Sequence, residues 1–300
     1  MPTKPLVSVV TPSYNTAAFL EATIESVLAQ DYAPIEYIVM DGGSTDGSLE
    51  ILDRYKGKLR CVSEPDGGAA DALNRGFSLA RGSILAWLSA DDVYQPGAIS
   101  AAVRRFVSDP GVSAVYGHGA WIDERGRELG PYPTAPFRRE LLAQECFICQ
   151  PACFFRRDAF DRVGGLDPSL HFSFDYDLWV RMARTSRFEL IPEVLACSRM
   201  HRANKTLGSR GRGLRETMNV LKRHYGYVPF RAVLAYYGFL LDGSDQFFEP
   251  FQPSVTQCLV SLATGCWHNR TQMLRYSAEW FRGVLRGRDP NEDRPVYTRY

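Results

Sequence analysis

Five short apolar runs, at residues 6–11, 35–40, 59–63, 84–88 and 112–116, recur along the chain with helix-forming stretches between them. This alternation is the mark of a mostly parallel β-sheet flanked by helices, an α/β architecture. After the first run, Leu20, Ile24, Val27 and Leu28 fall at i, i+4, i+7 and i+8, one face of a helix, with Asn15 or Thr16 placed to cap it. Residues 48–55, 69–80 and 98–107 are expected to be helical for similar reasons, with glycine or proline at their borders. In such sheets ligands bind beyond the carboxyl ends of the strands, so the residues after each run are where chemistry is to be sought.

Those residues are acidic. Asp41 follows the second run, Glu64 and Asp66 the third, and Asp91 with Asp92 the fourth. Any one of them is explained by the preference of Asp for turns and helix starts. Carboxylates at three neighbouring strand ends repel one another unless a cation or a hydrogen-bonding ligand holds them. Neither G-x-G-x-x-G nor G-x-x-x-x-G-K-[ST] occurs, which removes the main support for dinucleotide-binding and P-loop readings. The loop Asp41-Gly-Gly-Ser-Thr-Asp-Gly47 suits ribose hydroxyls or a base N–H better than bare phosphate. Neutralising a diphosphate then falls to a metal at Asp91 or Asp92, and oxygen ligands suit Mg²⁺ or Mn²⁺.

Composition narrows the classes further. With 45% hydrophobic residues, and 35 Lys+Arg against 34 Asp+Glu in 300 residues, the chain is neither a disordered acidic protein nor a globally basic nucleic-acid binder. The longest apolar candidate, residues 232–241, is interrupted by Tyr236, Tyr237 and Gly238 and is too short for a membrane span. The N-terminus lacks the apolar core and cleavage site of a signal peptide, and seven cysteines form no disulfide framework, so a cytoplasmic location is expected. Cys146, Cys149 and Cys153 have spacing that invites a zinc reading, but their apolar neighbours favour core packing.

Several segments, in order across residues 6–203, resemble a family 2 glycosyltransferase of the GT-A fold. They are Val7-Ser-Val-Val-Thr-Pro-Ser-Tyr-Asn15, Asp41-Gly-Gly-Ser-Thr-Asp-Gly-Ser48, the stretch from Glu64 to Gly76, and Leu88-Ser-Ala-Asp-Asp-Val-Tyr94. Further on, Gln150-Pro-Ala-Cys-Phe-Phe-Arg-Arg157, Phe174-Asp-Tyr-Asp-Leu-Trp-Val-Arg181 and Ser198-Arg-Met-His201 resemble acceptor-side segments of members that build bacterial polysaccharides. The resemblance implies inverting, metal-dependent transfer from a nucleotide-sugar, a UDP-sugar in the first instance, to a hydroxyl of a glycan or lipid-linked acceptor. It implies that Asp41 meets the ribose or base, that Asp66 accepts a base N–H, that the backbone near Thr11 and Ser13 lines the pocket, and that Asp91 contributes to the nucleotide site. Asp91, Asp92 and His201 take the metal positions for Mn²⁺ or Mg²⁺, and Asp175 that of the catalytic base. Two departures stand out: Ser89 replaces the first Asp of the usual D-x-D, and Phe174 replaces a Glu beside Asp175, which leaves Asp177 as a rival base. Arg75 and Arg81 are candidates for the phosphates.

The expected organisation is a catalytic domain over 1–205 and a mainly helical extension over 206–300. Between 199 and 231 the chain is strongly basic, with Arg202, Lys205, Arg210, Arg212, Arg215, Lys222 and Arg223 against Glu216. The aromatics that follow include Phe247, Phe248 and Phe251, and helical spacing continues over 273–285. Two readings of this tail stand: peripheral contact with an anionic membrane on its inner face, or packing against the catalytic domain or a second subunit in a homo-oligomer. Gly208 to Gly213 is expected to form a flap over the diphosphate. Two other functions compete with sugar transfer. A sugar-1-phosphate nucleotidyltransferase would need a glycine-rich basic loop where Pro12-Ser-Tyr-Asn-Thr16 stands, and a non-catalytic carbohydrate-binding protein would not need the full set of carboxylates.

Overall fold

The computed structural model describes residues 4–201, 204–243 and 253–285. Arg202, Phe247, Phe248 and Phe251 lie outside the described residues, as does the side chain of Lys205. The chain divides into two compact units, one of residues 1–137 and 147–200 and one of residues 138–146 and 201–300.

The first unit is built on a sheet of nine strands: β1 (Val7–Ser13), β2 (Ile35–Asp41), β3 (Arg60–Ser63), β4 (Ile84–Trp87), β5 (Val93–Tyr94), β6 (Ala114–Ile122), β7 (Glu128–Pro131), β8 (Cys153–Arg156) and β9 (Phe188–Arg199). Their order is β3-β2-β1-β4-β8-β6-β9-β5, with β7 beside β6. The expected parallel sheet is its first half, where β3, β2, β1 and β4 all run together. Beyond β4 the sheet is mixed, because β8 pairs antiparallel with both β4 and β6. The central strands are buried on both faces, which is why their sequences read as apolar runs rather than alternations.

Helices α1 (Ala17–Leu28), α2 (Ser48–Arg54), α3 (Ala69–Leu79) and α4 (Ala98–Ser108) fill the intervals read as helical. Leu20, Ile24 and Val27 of α1 are buried, whereas Leu28, at the edge of the apolar stripe in the last turn, is exposed. Thr16 occupies the N-cap of α1 without a capping bond from its side chain; the first helical N–H, of Ala17, goes instead to Asp46 Oδ2 at 2.9 Å. Gly76 lets α3 lie directly on the sheet, since a Cβ there would run into Val10 Cγ1.

In the second half of this unit lie α6 (Arg157–Arg162) and α7 (Phe174–Met182), while α5 (Arg139–Leu142) belongs to the other unit. Arg157 donates to the carbonyls of Phe77, Ala80 and Gly82 at the end of α3, and Arg156 to those of Phe106 and Val112 at the end of α4. These two residues thus satisfy carbonyls at and beyond helix C-termini. Cys149 and Cys153 are fully buried, in keeping with core packing.

The second unit is helical, with α8 (Lys205–Gly208), α9 (Arg210–Tyr225), α10 (Phe230–Asp242), α11 (Val255–His268) and α12 (Met273–Leu285) around a core that includes Tyr227, Val233, Leu234 and Tyr276. The 208–213 segment enters α9 rather than forming an open flap. No helix among the described residues is long and apolar enough to cross a membrane.

Alanine favours helix over glycine by up to about 1 kcal/mol, so Gly76→Ala would stabilise an uncrowded helix. Here the collision with Val10 decides the sign, and a net loss of about 1–3 kcal/mol is expected in urea denaturation of the variant.

Candidate active site

The crevice arises where β1 and β4 part. Val7–Val10 pair with Ile84–Trp87, and Leu88 N donates to Val10 O at 3.0 Å. Even-numbered residues of β1 therefore face β4, and the next of them is Pro12, which has no N–H to offer. On the other side Ser13 O still accepts Gly42 N at 2.8 Å, so β1 stays zipped to β2 as it leaves β4. Strand order reverses direction at β1 and β4, which is where α/β sheets bind ligands.

On the β2 side, Asp41 is buried and its two oxygens accept four hydrogen bonds, from Gly43 N, Ser44 N, Ser44 Oγ and Ser63 Oγ, at 2.5–3.0 Å. Such a carboxylate is close to saturated, and it sets the path of the loop. Asn15, at φ 52°, stitches the end of β1 to the same loop through Ser44 Oγ and Thr45 N. Thr11 and Ser13 are buried; Thr11 Oγ1 meets Tyr37 OH and Ser13 Oγ meets Thr16 Oγ1, so their side chains brace the crevice from within.

Asp66 lies across from this loop, half-buried, with Oδ1 accepting Gly68 N at 2.7 Å. Its Oδ2 stands over Gly42, where a Cβ would come within 2.9 Å of it and 3.4 Å of Tyr14 Cδ2. Tyr14 and Asp66 thus meet over Gly42, and Tyr14 is 63% exposed there. Tyr14 and Gly42 were given no role by sequence reasoning. The available signal was their position, directly after β1 and β2.

On the β4 side, Asp91 and Asp92 sit in a turn closed by Asp92 N to Ser89 O at 3.0 Å. Asp92 is buried; Oδ1 accepts Arg199 N at 2.8 Å, and its carbonyl accepts Thr23 Oγ1. Burial above all, reinforced by the charge of Asp91, pushes its carboxyl well above the ordinary range, against the opposing bonds from Arg199 and Ser198. Asp91 is half-buried beside it, and its carbonyl accepts Arg199 Nε at 2.9 Å. Two adjacent hard oxygen donors suit a divalent cation. Among the described residues no three of His, Cys, Asp and Glu gather as metal ligands, so such a cation would depend on substrate phosphates and water for the rest of its shell. His201 falls in the other compact unit, half-buried, with its carbonyl accepting Asn204 N.

Asp175 is the second residue of α7 and half-buried, with Oδ1 2.7 Å from Tyr176 N. Asp177 is fully buried and paired with Arg181, which also donates to Val163 O, so its carboxylate is committed to the interior. The helix is set by Trp179, stacked on Trp87 of β4 with ring centroids 5.4 Å apart. Phe174 leans on the same indole at 6.4 Å. The loop before α7 is tied to α3 by Asn74, which donates to Leu166 O and accepts Leu166 N, and His171 lies against Gly68. Arg75 and Arg81, proposed for phosphates, are instead paired at the surface with Glu64 and Asp71, and with Glu36.

Residues 8–164, more than half the chain, match the family model for glycosyl transferase family 2. The chain belongs to this family. A relative in Rickettsia prowazekii, an uncharacterized glycosyltransferase, is 33% identical over 67% of this chain and 66% of its own length. The hyaluronan synthase of Pasteurella multocida is 26% identical over 69% of this chain but 22% of that protein. The chain thus spans just under two thirds of the first relative and about a fifth of the second. In structure, this family 2 chain is similar to Staphylococcus aureus TarS 1–349 in complex with UDP-GlcNAc, with TM-score 0.62 and 12% identity, covering 97% of this chain and 96% of that one. A mannosyltransferase of Pyrobaculum calidifontis in complex with GDP-Man and Mn²⁺ gives TM-score 0.56 and 20% identity, over 96% and 78% of the two chains. These likenesses establish the GT-A fold for the family 2 chain.

Removing one partner of a buried ion pair strands the other charge. Asp177→Ala is therefore expected to cost about 3 kcal/mol of stability in urea denaturation.

Proposed function

We propose that the chain catalyses inverting transfer of a sugar from a UDP-sugar to a hydroxyl of a glycan or lipid-linked acceptor, in cell-surface polysaccharide synthesis on the cytoplasmic side of the membrane. The observation that carries this reading is the meeting of Tyr14 and Asp66 over Gly42 after β1 and β2, together with the Asp91–Asp92 turn after β4, at the strand ends where β1 and β4 separate. Family membership and the likeness in fold to the two nucleotide-sugar complexes support it.

In this reading Asp66 accepts an N–H of the base, and exposed Tyr14 offers the base a ring to lie on. Asp41 acts through the loop that its four hydrogen bonds hold in shape. Asp91, with Asp92 behind it, would hold Mn²⁺ or Mg²⁺, which when bound supplies positive charge to the departing diphosphate. Asp175 takes the proton of the acceptor hydroxyl as that oxygen bonds to the anomeric carbon and the sugar–diphosphate bond breaks. Asp175 is favoured over Asp177 as the base because Asp177 is locked to Arg181 in the interior. No role at the metal is assigned to His201.

Uracil presents an N–H where cytosine presents a lone pair. Calorimetry in Mn²⁺ is expected to show UDP binding about tenfold or more tighter than CDP, with the difference collapsing in Asp66→Ala. Equal affinities in the unmodified protein would overturn the assignment of Asp66 to the base. For the chemical step, Asp175→Asn retains shape without basicity. Release of UDP from a panel of UDP-sugars with acceptor is expected to fall by about 10²- to 10⁴-fold while UDP affinity stays within about twofold. Transfer that survives this change would remove Asp175 as the base.

A further inference from the structure

The α11–α12 hairpin of the second unit exposes an apolar surface. On α11, Val255, Leu259 and Trp267 are exposed and, with Ala263, repeat at every fourth residue, so they follow one face. On α12, Leu274, Ala278 and Phe281 are exposed at i, i+4 and i+7. Trp267 is 69% and Leu274 89% exposed. The opposite faces are committed to the interior: Gly265 lies so close to Tyr276 that a Cβ would overlap its ring, Tyr276 OH donates to Ser261 O at 2.8 Å, and Trp280 Nε1 donates to Cys258 O at 2.9 Å. Scattered exposed apolar residues are ordinary on any surface, but stripes on two neighbouring helices mark a binding face.

Charge identifies what the face fits. From 253 to 285 the described chain carries Arg270, Arg275 and Arg282 and one carboxylate, Glu279, which is turned inward to Tyr227 OH and Phe230 N. None of the three arginines is ion-paired among the described residues, and all are exposed. Arg275 and Arg282 each follow a stripe residue by one position, about 100° round the helix, and so border the apolar face. Arg275 packs over the Tyr227 ring at 3.9 Å, which helps to fix one edge of that border. A second copy of the chain meeting this face symmetrically would bring arginine towards arginine, which disfavours self-association. Aromatic and aliphatic side chains bordered by unpaired cations match the boundary between lipid headgroups and acyl chains.

We propose that the α11–α12 face docks on an anionic lipid bilayer, with Trp267, Leu274 and Phe281 entering the interface and Arg270, Arg275 and Arg282 meeting lipid phosphates. This moves the membrane-facing surface away from the basic 199–231 stretch, where Arg199 is buried, Lys222 donates to the carbonyls of Gly226 and His268, and Arg231 pairs with Glu145. The proposal is independent of the reading of the sugar-transfer site.

The test is flotation of the full chain with vesicles of equal parts phosphatidylglycerol and phosphatidylcholine, against vesicles of phosphatidylcholine alone. The chain is expected to float with the anionic vesicles and at least about tenfold less with the neutral ones. Leu274→Glu with Phe281→Glu alters exposed side chains only, and is expected to cut the bound fraction about tenfold or more with the far-UV circular dichroism unchanged. Arg275→Gln with Arg282→Gln is expected to erase most of the preference for anionic vesicles. Three results would overturn the proposal: no flotation of the folded chain, equal flotation of both double variants and the unmodified protein, or a dimer that the glutamate variant converts to monomer while vesicles capture neither.

Discussion

The site depends on where β1 stops pairing with β4. Parallel strands bond alternate residues to alternate neighbours, so the side of β1 that faces β4 is set by parity from Val10 onward. Pro12 falls on that side and cannot donate, while Ser13 on the other side keeps its bond to Gly42. One strand is thus held to β2 and released from β4 at the same level. Tyr14 and Asn15 follow β1 on one side of this split, and the turn bearing Asp91 and Asp92 follows β4 on the other.

The carboxylates around this split divide by what they bind within the protein. Asp41 and Asp92 are buried and accept backbone N–H groups, and Asp46 supplies the first turn of α1 with its missing acceptor. Asp71 accepts Gly67 N and pairs with Arg75, and Asp177 neutralises Arg181 in the interior. Asp66, Asp91 and Asp175 are half-buried at the mouths of loops or at a helix start. An acidic cluster of this kind is therefore mostly architecture, in which carboxylates order loop backbones that regular pairing does not reach.

Helices α3 and α7 join the two sides of the site. α3 lies on the sheet through Gly76, receives Arg157 at its C-terminus, and grips the loop before α7 through both ends of the Asn74 amide. α7 is fixed in turn by the stack of Trp179 on Trp87, a residue of the strand that leads to Asp91. The position of Asp175 is thus coupled, through the Trp179–Trp87 stack, to the strand that leads to the acidic turn.

Local chemistry made much of this legible. The five apolar runs, the α1 face of Leu20, Ile24 and Val27, and the acidic residues after the second, third and fourth runs all follow from periodicity and turn preference, because buried parallel strands and amphipathic helices leave that imprint on any sequence. What the sequence alone determined was the alternation of strands and helices and the family motifs at strand ends. Only tertiary structure decided which acid faces inward, since Asp177 and Asp175 are equivalent by composition and differ through the presence of Arg181 one turn away in a closed interior. It likewise decided that Arg81, Arg156 and Arg157 meet a carboxylate and carbonyls far away in sequence, and that Tyr14 meets Asp66 over Gly42. Such pairings depend on the register of distant segments, and a one-dimensional pattern carries the period of an element but not the partner it will meet.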